Sequence, residues 1–151
     1  MMQKPMRDFS HSLPMALLRA REQVMERFRP VLRQHDVTEQ QWRVLRALME
    51  IDEIDVTQLA ARCFVLSPSL SRIVRDLEAR KLIQRRSDPK DNRRGLIRIT
   101  PEGRALFQEV APHSEQGYAE IARIVGVDKL EELYKLLNHL EKSLAEAEPG
   151  Q

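Results

Sequence analysis

Residues 67–83 read SPSLSRIVRDLEARKLI, and the rest of the chain is organised around this stretch. Ser67 followed by Pro68 is a helix start, with a hydroxyl to cap free N–H groups and then a proline at the first helical position. Leu70, Ile73, Val74 and Leu77 recur at helical spacing and form one apolar stripe. Ser67, Ser69, Ser71, Arg72 and Arg75 lie off that stripe. Hydroxyls and guanidiniums of this kind hydrogen-bond base edges and phosphates. A second short helix is expected just before. Asp55 and Gln58 have capping-box spacing, and Leu59, Ala60 and Cys63 supply an apolar side. Two short helices, a tight turn and polar residues opening the second helix read as a helix-turn-helix. The alternative is a surface helical hairpin whose arginines are merely solvated.

Charge favours the first reading. Residues 67–98 carry ten Lys/Arg against four Asp/Glu, whereas residues 99–151 carry five against ten. The overall +2 therefore conceals a basic patch around the helix-turn-helix. Phosphate neutralisation by such a patch supplies sequence-independent affinity for nucleic acid. The 151 residues suffice for one domain with a real core. No apolar run approaches the ~20 residues of a membrane span, and the first residues lack a signal-peptide core. A cytoplasmic protein with no membrane association is expected. A single cysteine, Cys63, leaves no internal disulfide.

The rest of the chain falls into order around this centre. Residues 1–12 look like a loose arm. A first helix is expected over about residues 14–34, with Leu18, Met25, Phe28 and Leu32 on one face. Thr38 and Gln41 open a second helix with Trp42, Leu45, Leu48 and Met49 on its buried side. The acidic residues 52–55 end it. Residues 82–86 (LIQRR) and 96–100 (LIRIT) read as short strands joined by SDPKDNRRG, which puts Lys90, Arg93 and Arg94 at a basic tip. A basic hairpin following a helix-turn-helix is a wing, able to reach phosphates or a minor groove. A plain surface hairpin is the alternative. Thr100, Pro101 and Glu102 start a long helix to about Val125, in which Pro112 should produce a kink or break. Gly126 ends it and Asp128 opens the last helix. Leu130, Leu133, Leu137, Leu140 and Leu144 are spaced 3, 4, 3, 4. That seam could pack within one subunit, but a second subunit is its better use, since helix-turn-helix proteins commonly read two half-sites as dimers.

Arg21 is out of place. It occupies the position between Leu18 and Met25 on the apolar face of the first helix, where a guanidinium needs an anionic partner. One partner would be a carboxylate from another helix, such as Glu39 or Glu115. The sharper expectation is an effector site: Arg21 holding the carboxylate of a small aromatic acid, with Phe28 and Trp42 as apolar walls. Other chemistries find little support. Cys63 sits on an apolar helix face, where thiols are commonly inert. The four histidines have no ligand spacing, so no metal or other cofactor is expected. No nucleophile motif points to an enzyme.

The order of elements, together with DNRRGLIRITPEGR at residues 91–104, resembles the MarR family of winged-helix transcription regulators. The motif is Asp91-x-Arg93, then Leu96, Ile99 and Thr100, then Glu102-Gly103. The resemblance implies a mainly α fold with a small β wing. It also implies one MarR-like domain over residues 1–151, in which residues 37–100 form the winged helix-turn-helix lobe. Residues 13–35 and 101–146 would be dimerisation helices of a homodimer. Asp91 would brace the wing by pairing with a neighbouring arginine, Arg93 would probe the minor groove, and Arg94 would meet a phosphate. The turn Phe64-Val65-Leu66 departs from the family in lacking a glycine. LLRAREQVMERFRP and VTEQQWRVLRAL resemble the subgroup controlling aromatic-acid catabolism, homoprotocatechuate and 4-hydroxyphenylacetate degradation in particular.

The expected function is a repressor on palindromic operator DNA, released by a small aromatic carboxylate. A regulator answering another phenolic compound or an oxidant, or a helical dimer acting as an adaptor without DNA, are the alternatives. Binding to operator DNA that falls steeply with salt would separate regulator from adaptor.

Overall fold

In a computed structural model, residues 5–147 are described. The helices are α1 (Leu13–Met25), α2 (Arg29–Gln34), α3 (Glu39–Met49), α4 (Val56–Cys63), α5 (Ser67–Ala79), α6 (Pro101–Val125) and α7 (Val127–Glu146). The strands are β1 (Ile54–Asp55), β2 (Ile83–Asp88) and β3 (Asp91–Ile99), in an antiparallel sheet of order β1-β3-β2. The chain divides into two compact units, and the division falls inside α6 after Ser114.

In the first unit, α3, α4, α5 and the sheet enclose one core. Leu45, Leu48, Leu59, Leu70, Val74, Leu77 and Ile97 are among its fully buried members. The stripe expected on α5 is buried at all four positions. Both early caps form. Thr38 and Gln41 make the full capping box of α3, and Asp55 Oδ1 accepts from the N–H groups of Thr57 and Gln58 at the head of α4. Thr100 Oγ1 donates to the Lys81 carbonyl at 2.7 Å and accepts the Gly103 N–H at 3.0 Å, which fastens α6 to the end of α5. A Cβ at Gly103 would lie 2.1 Å from the Leu82 carbonyl oxygen, so no other residue fits there without moving backbone. The first half of α6 thus belongs with the core; Phe107 stacks on Trp42 with ring centroids 4.6 Å apart.

Several expectations need correction. The single first helix is two. Pro30 opens α2, because a proline is accommodated in a first turn but not inside a helix. The arm is partly ordered: Asp8 caps a 3-10 turn at Phe9–His11, while residues 1–4 lie outside the described residues. Ser67 is not the cap of α5. Leu66 holds that position, Ser67 is the first helical residue and Pro68 the second, with no side-chain cap bond. Residues 54–55 are a strand, paired with Ile97 and Leu96. The wing strands run further than expected, leaving only Pro89 and Lys90 as the turn, so Arg93 and Arg94 lie in β3 rather than at the tip. Pro112 does not interrupt α6.

The turn between α4 and α5 is closed without glycine. Phe64 adopts the left-handed conformation (φ 52°, ψ 47°), and the Val65 N–H reaches back to the Ala60 carbonyl at 3.1 Å. The left-handed region costs an L-residue roughly 1–2 kcal/mol. In the second unit, Gly126 (φ 99°) ends α6 and caps α7 directly, with Asp128 as the second helical residue. No residue of α7 is buried.

Candidate nucleic-acid interface

Buried Leu70, Ile73, Val74 and Leu77 fix the orientation of α5, and its other faces meet solvent. Ser67, Ser71, Arg72 and Arg75 are exposed and Ser69 half-buried. The Ser71 hydroxyl donates to the Ser67 carbonyl, so its oxygen lone pairs stay open. Arg72 and Arg75 make no ion pair among the described residues. The same is true of Lys90 at the wing turn and Arg93 on β3, both exposed.

Of the other basic residues of the patch, Lys81 and Arg98 also make no ion pair among the described residues, Arg80 donates to the Asp36 carbonyl, and three arginines are held by carboxylates. Arg86 grips Glu53 through two hydrogen bonds of 2.7 and 2.6 Å, and Arg85 pairs with Glu78 at 3.3 Å. Arg94, expected at a phosphate, instead has its Nε 3.2 Å from Asp55 Oδ2, with Asp88 at 3.9 Å. Asp55 thus serves two elements: one oxygen caps α4, the other holds the wing. Burial pushes its carboxyl up, but the N–H groups of Gln58 and Thr57 and the Arg94 guanidinium outweigh that and hold it below the usual carboxylate range. Asp91 also differs from expectation. Its Oδ1 accepts the backbone N–H of Arg93 at 3.0 Å, so it shapes the strand rather than pairing with a guanidinium. Asp88 does the same for Lys90 N–H at 2.9 Å. The positive charge therefore sorts into a paired set, which holds the wing on the helices, and an unpaired set, spread over α5 and the wing.

Arg21 lies in a different cluster. It is 43% exposed, not buried, and donates to Glu39 Oε2 at 3.0 Å, one of the two carboxylates anticipated. Arg29 bridges Glu39 and Glu22, and Glu22 approaches Arg21 at 3.7 Å, so two cations meet two anions. Burial pushes the Glu39 carboxyl up, and the hydrogen bonds from Arg29 and Arg21 overcome this and hold it below its ordinary value. A cavity of about 180 Å³ beside the network is lined by Arg29, Leu32, Arg33, Val37, Thr38 and Glu39. The three residues expected at an effector site do not line it. Phe28 is buried, and one face of half-buried Trp42 is occupied by Phe107. Cys63 is buried, and burial pushes its thiol pKa up against the pull of Arg43 and Arg62, the reverse of a reactive thiolate.

Residues 35–94, which hold the helix-turn-helix and most of the wing, match the model of the MarR family. Over 142 residues the chain is 38% identical to the homoprotocatechuate degradative operon repressor of Escherichia coli, covering 92% of this chain and 96% of that one. The chain belongs to the MarR family. Two solved structures extend the likeness. NadR in complex with 4-hydroxyphenylacetate is 35% identical, with a TM-score of 0.76 over 91% of this chain and 97% of that one. The transcriptional repressor CouR bound to a 23-mer DNA duplex is 25% identical, with a TM-score of 0.81 over 92% of this chain and 99% of that one. As a member of this family the protein is a DNA-binding transcriptional regulator and not an enzyme. No helix among the described residues is long and apolar enough to cross a membrane.

Proposed function

We propose that the protein is a dimeric repressor of an aromatic-acid degradation operon, homoprotocatechuate or 4-hydroxyphenylacetate catabolism, acting in the cytoplasm on a palindromic operator. The observation that carries the DNA side is the sorting of charge: Arg72, Arg75, Lys90 and Arg93 stay unpaired while Arg85, Arg86 and Arg94 are held by carboxylates. Arg72 and Arg75, with Ser67, Ser69 and Ser71, face base edges and phosphates in the major groove, and Arg93 enters the minor groove beside it. Lys90 meets backbone phosphate. Arg94 and Asp91 set the angle and shape of the wing. Residues 37–100 act as the reading lobe, and residues 13–35 and 101–146 join two copies. The exposed leucines of α7 support that assembly, with Leu133 and Leu137 48% and 38% exposed in the single chain.

The effector is a small aromatic carboxylate. Support comes from the likeness to the E. coli repressor and to NadR with its bound 4-hydroxyphenylacetate, and from an arginine held only by carboxylates. A ligand carboxylate is chemically equivalent to the Glu39 side chain and would take its place on Arg21. Phe28 and Trp42 would then flank the ring after Trp42 shifts from Phe107. Effector binding favours a lobe spacing that no longer matches successive major grooves, and the operator is released.

The test is a titration of 4-hydroxyphenylacetate and homoprotocatechuate into the wild type and Arg21→Ala, each bound to DNA from the protein's own upstream region. Release of the wild type but not the variant supports the reading. Equal affinities and equal release, with the variant folded, remove Arg21 from the site. Wild-type protein that binds DNA but is released by neither acid excludes these effectors.

A further inference from the structure

The helix-turn-helix turn displays two large apolar side chains that the free chain does not use. Phe64 is 84% exposed and Leu66 78% exposed, on either side of buried Val65. Burial of Val65 and its N–H bond to the Ala60 carbonyl fix the turn, so the two flanking side chains are directed outward by the fold. Phe64 is also in the conformation that favours glycine, at φ 52°. A strained position that keeps an aromatic side chain and leaves it in solvent points to a use outside the free chain. Its location says which use. Leu66 caps α5, one residue before Ser67, and the unpaired Arg72 and Arg75 follow on the same helix. In a helix-turn-helix the start of the second helix is the part that reaches base edges. The turn is therefore continuous with the DNA-reading surface.

We propose that Phe64 and Leu66 form an apolar edge of that surface and read thymine, by packing on its 5-methyl group in the major groove. This rests on α5 being the DNA-reading helix. The thymine methyl is the apolar feature that a base pair presents in the major groove, and it is matched by aliphatic and aromatic side chains. The arginines beside the turn read guanine edges or phosphates, so the two kinds of contact specify different bases. The proposal makes Phe64 and Leu66 specificity-determining residues, with little share in the salt-dependent part of binding.

The experiment uses full-length protein and duplex DNA from its own upstream region, in which thymines are replaced one at a time by deoxyuridine. That removes the methyl and leaves every hydrogen-bonding group in place. Loss of one buried methyl is expected to weaken wild-type binding about fourfold at the contacted positions. Phe64→Gly and Leu66→Ala should each bind thymine DNA several-fold more weakly and lose the uridine penalty at their own position. Glycine suits the left-handed turn, so Phe64→Gly should melt at a higher temperature than the wild type while binding DNA less well. If both variants keep wild-type affinity and the full uridine penalty, the proposal is overturned, and the exposed turn serves a protein partner instead. Arg72→Ala separates the two levels. If it too leaves affinity unchanged, the assignment of α5 itself fails; if it weakens binding while the turn variants do not, only the proposal about the turn fails.

Discussion

Helices α5 and α7 carry apolar stripes of the same kind and meet opposite fates. On α5, Leu70, Ile73, Val74 and Leu77 are buried in the chain's own core. On α7, Leu130, Leu133, Leu137, Leu140 and Leu144 repeat just as regularly, yet no residue of that helix is buried. A stripe satisfied within the chain makes its helix a rigid platform, and what projects from the other side is then available for function: Arg72 and Arg75 on α5. A stripe left open is available as a surface in its own right, which is why a second copy is proposed for it. The lesson is to look at the polar face of a buried helix and at the apolar face of an exposed one.

The strongest attempt to break this contrast is truncation of matched leucines. Leu77→Ala should cost about 2–5 kcal/mol of folding stability at any protein concentration, as a cavity in a closed core does. Leu137→Ala should act mainly on association, weakening the dimer by about 2 kcal/mol, with a melting temperature that depends on concentration. Denaturant melts at several protein concentrations, with sedimentation, distinguish the two. If Leu137→Ala behaves like Leu77→Ala, α7 belongs to an internal core and the contrast is lost.

A smaller effect sharpens the division of the charges. Arg72→Ala should lose about 1–3 kcal/mol of operator affinity and relax the preference at one base pair. Arg85→Ala, whose guanidinium is already bound to Glu78, should lose less than half as much. Lys90→Ala should weaken all sequences alike and lower the salt slope by about one. Fluorescence anisotropy against salt reads all three, and equal losses for Arg72 and Arg85 would erase the distinction between paired and unpaired cations.

The smallest effect concerns Asp55. Its folded pKa lies below the ordinary value of about 3.9. Its contribution is therefore present above about pH 4 and is lost as pH falls through the lower, folded value. Asp55→Asn keeps an acceptor for the cap of α4 but gives up the charge on Arg94. It should be about 1 kcal/mol less stable than the wild type at pH 7, with the gap closing towards pH 3 in urea melts. A gap that stays constant would show that the charge on Asp55 does nothing for stability.

What could be read in the sequence was local and periodic. The stripe of α5, the caps Thr38, Asp55 and Thr100 and the stop at Gly126 each rest on residues within a turn or two of one another. The failures have equally physical causes. Apolar spacing continues past Pro30, so the periodicity hid a break that the proline itself announced. Two residues, Ile54 and Asp55, are too few for a strand pattern; they pair because β3 presents a free edge. Arg94 and Asp55 are 39 positions apart, so their contact left no local trace. The contact engages a residue whose neighbours suggest a phosphate contact. Phe64 in a glycine conformation could be seen only as a missing glycine, not as an exposed aromatic beside the reading helix. Arg21 stands out in the sequence by its position alone; the two-arginine, two-glutamate cluster depends on α1, α2 and α3 meeting in space, which no local pattern encodes.

The central claim is that unpaired cations on α5 and the wing of a dimer hold operator DNA. It is tested most directly by the affinity of wild type and Arg93→Ala for the upstream DNA between about 50 and 200 mM salt. We expect wild-type affinity to fall steeply, by ~10³ or more for a dimer making six or more phosphate contacts, and Arg93→Ala to bind at least about fivefold more weakly at moderate salt. A wild type whose binding ignores salt, or an Arg93→Ala variant that binds as the wild type does, would contradict it.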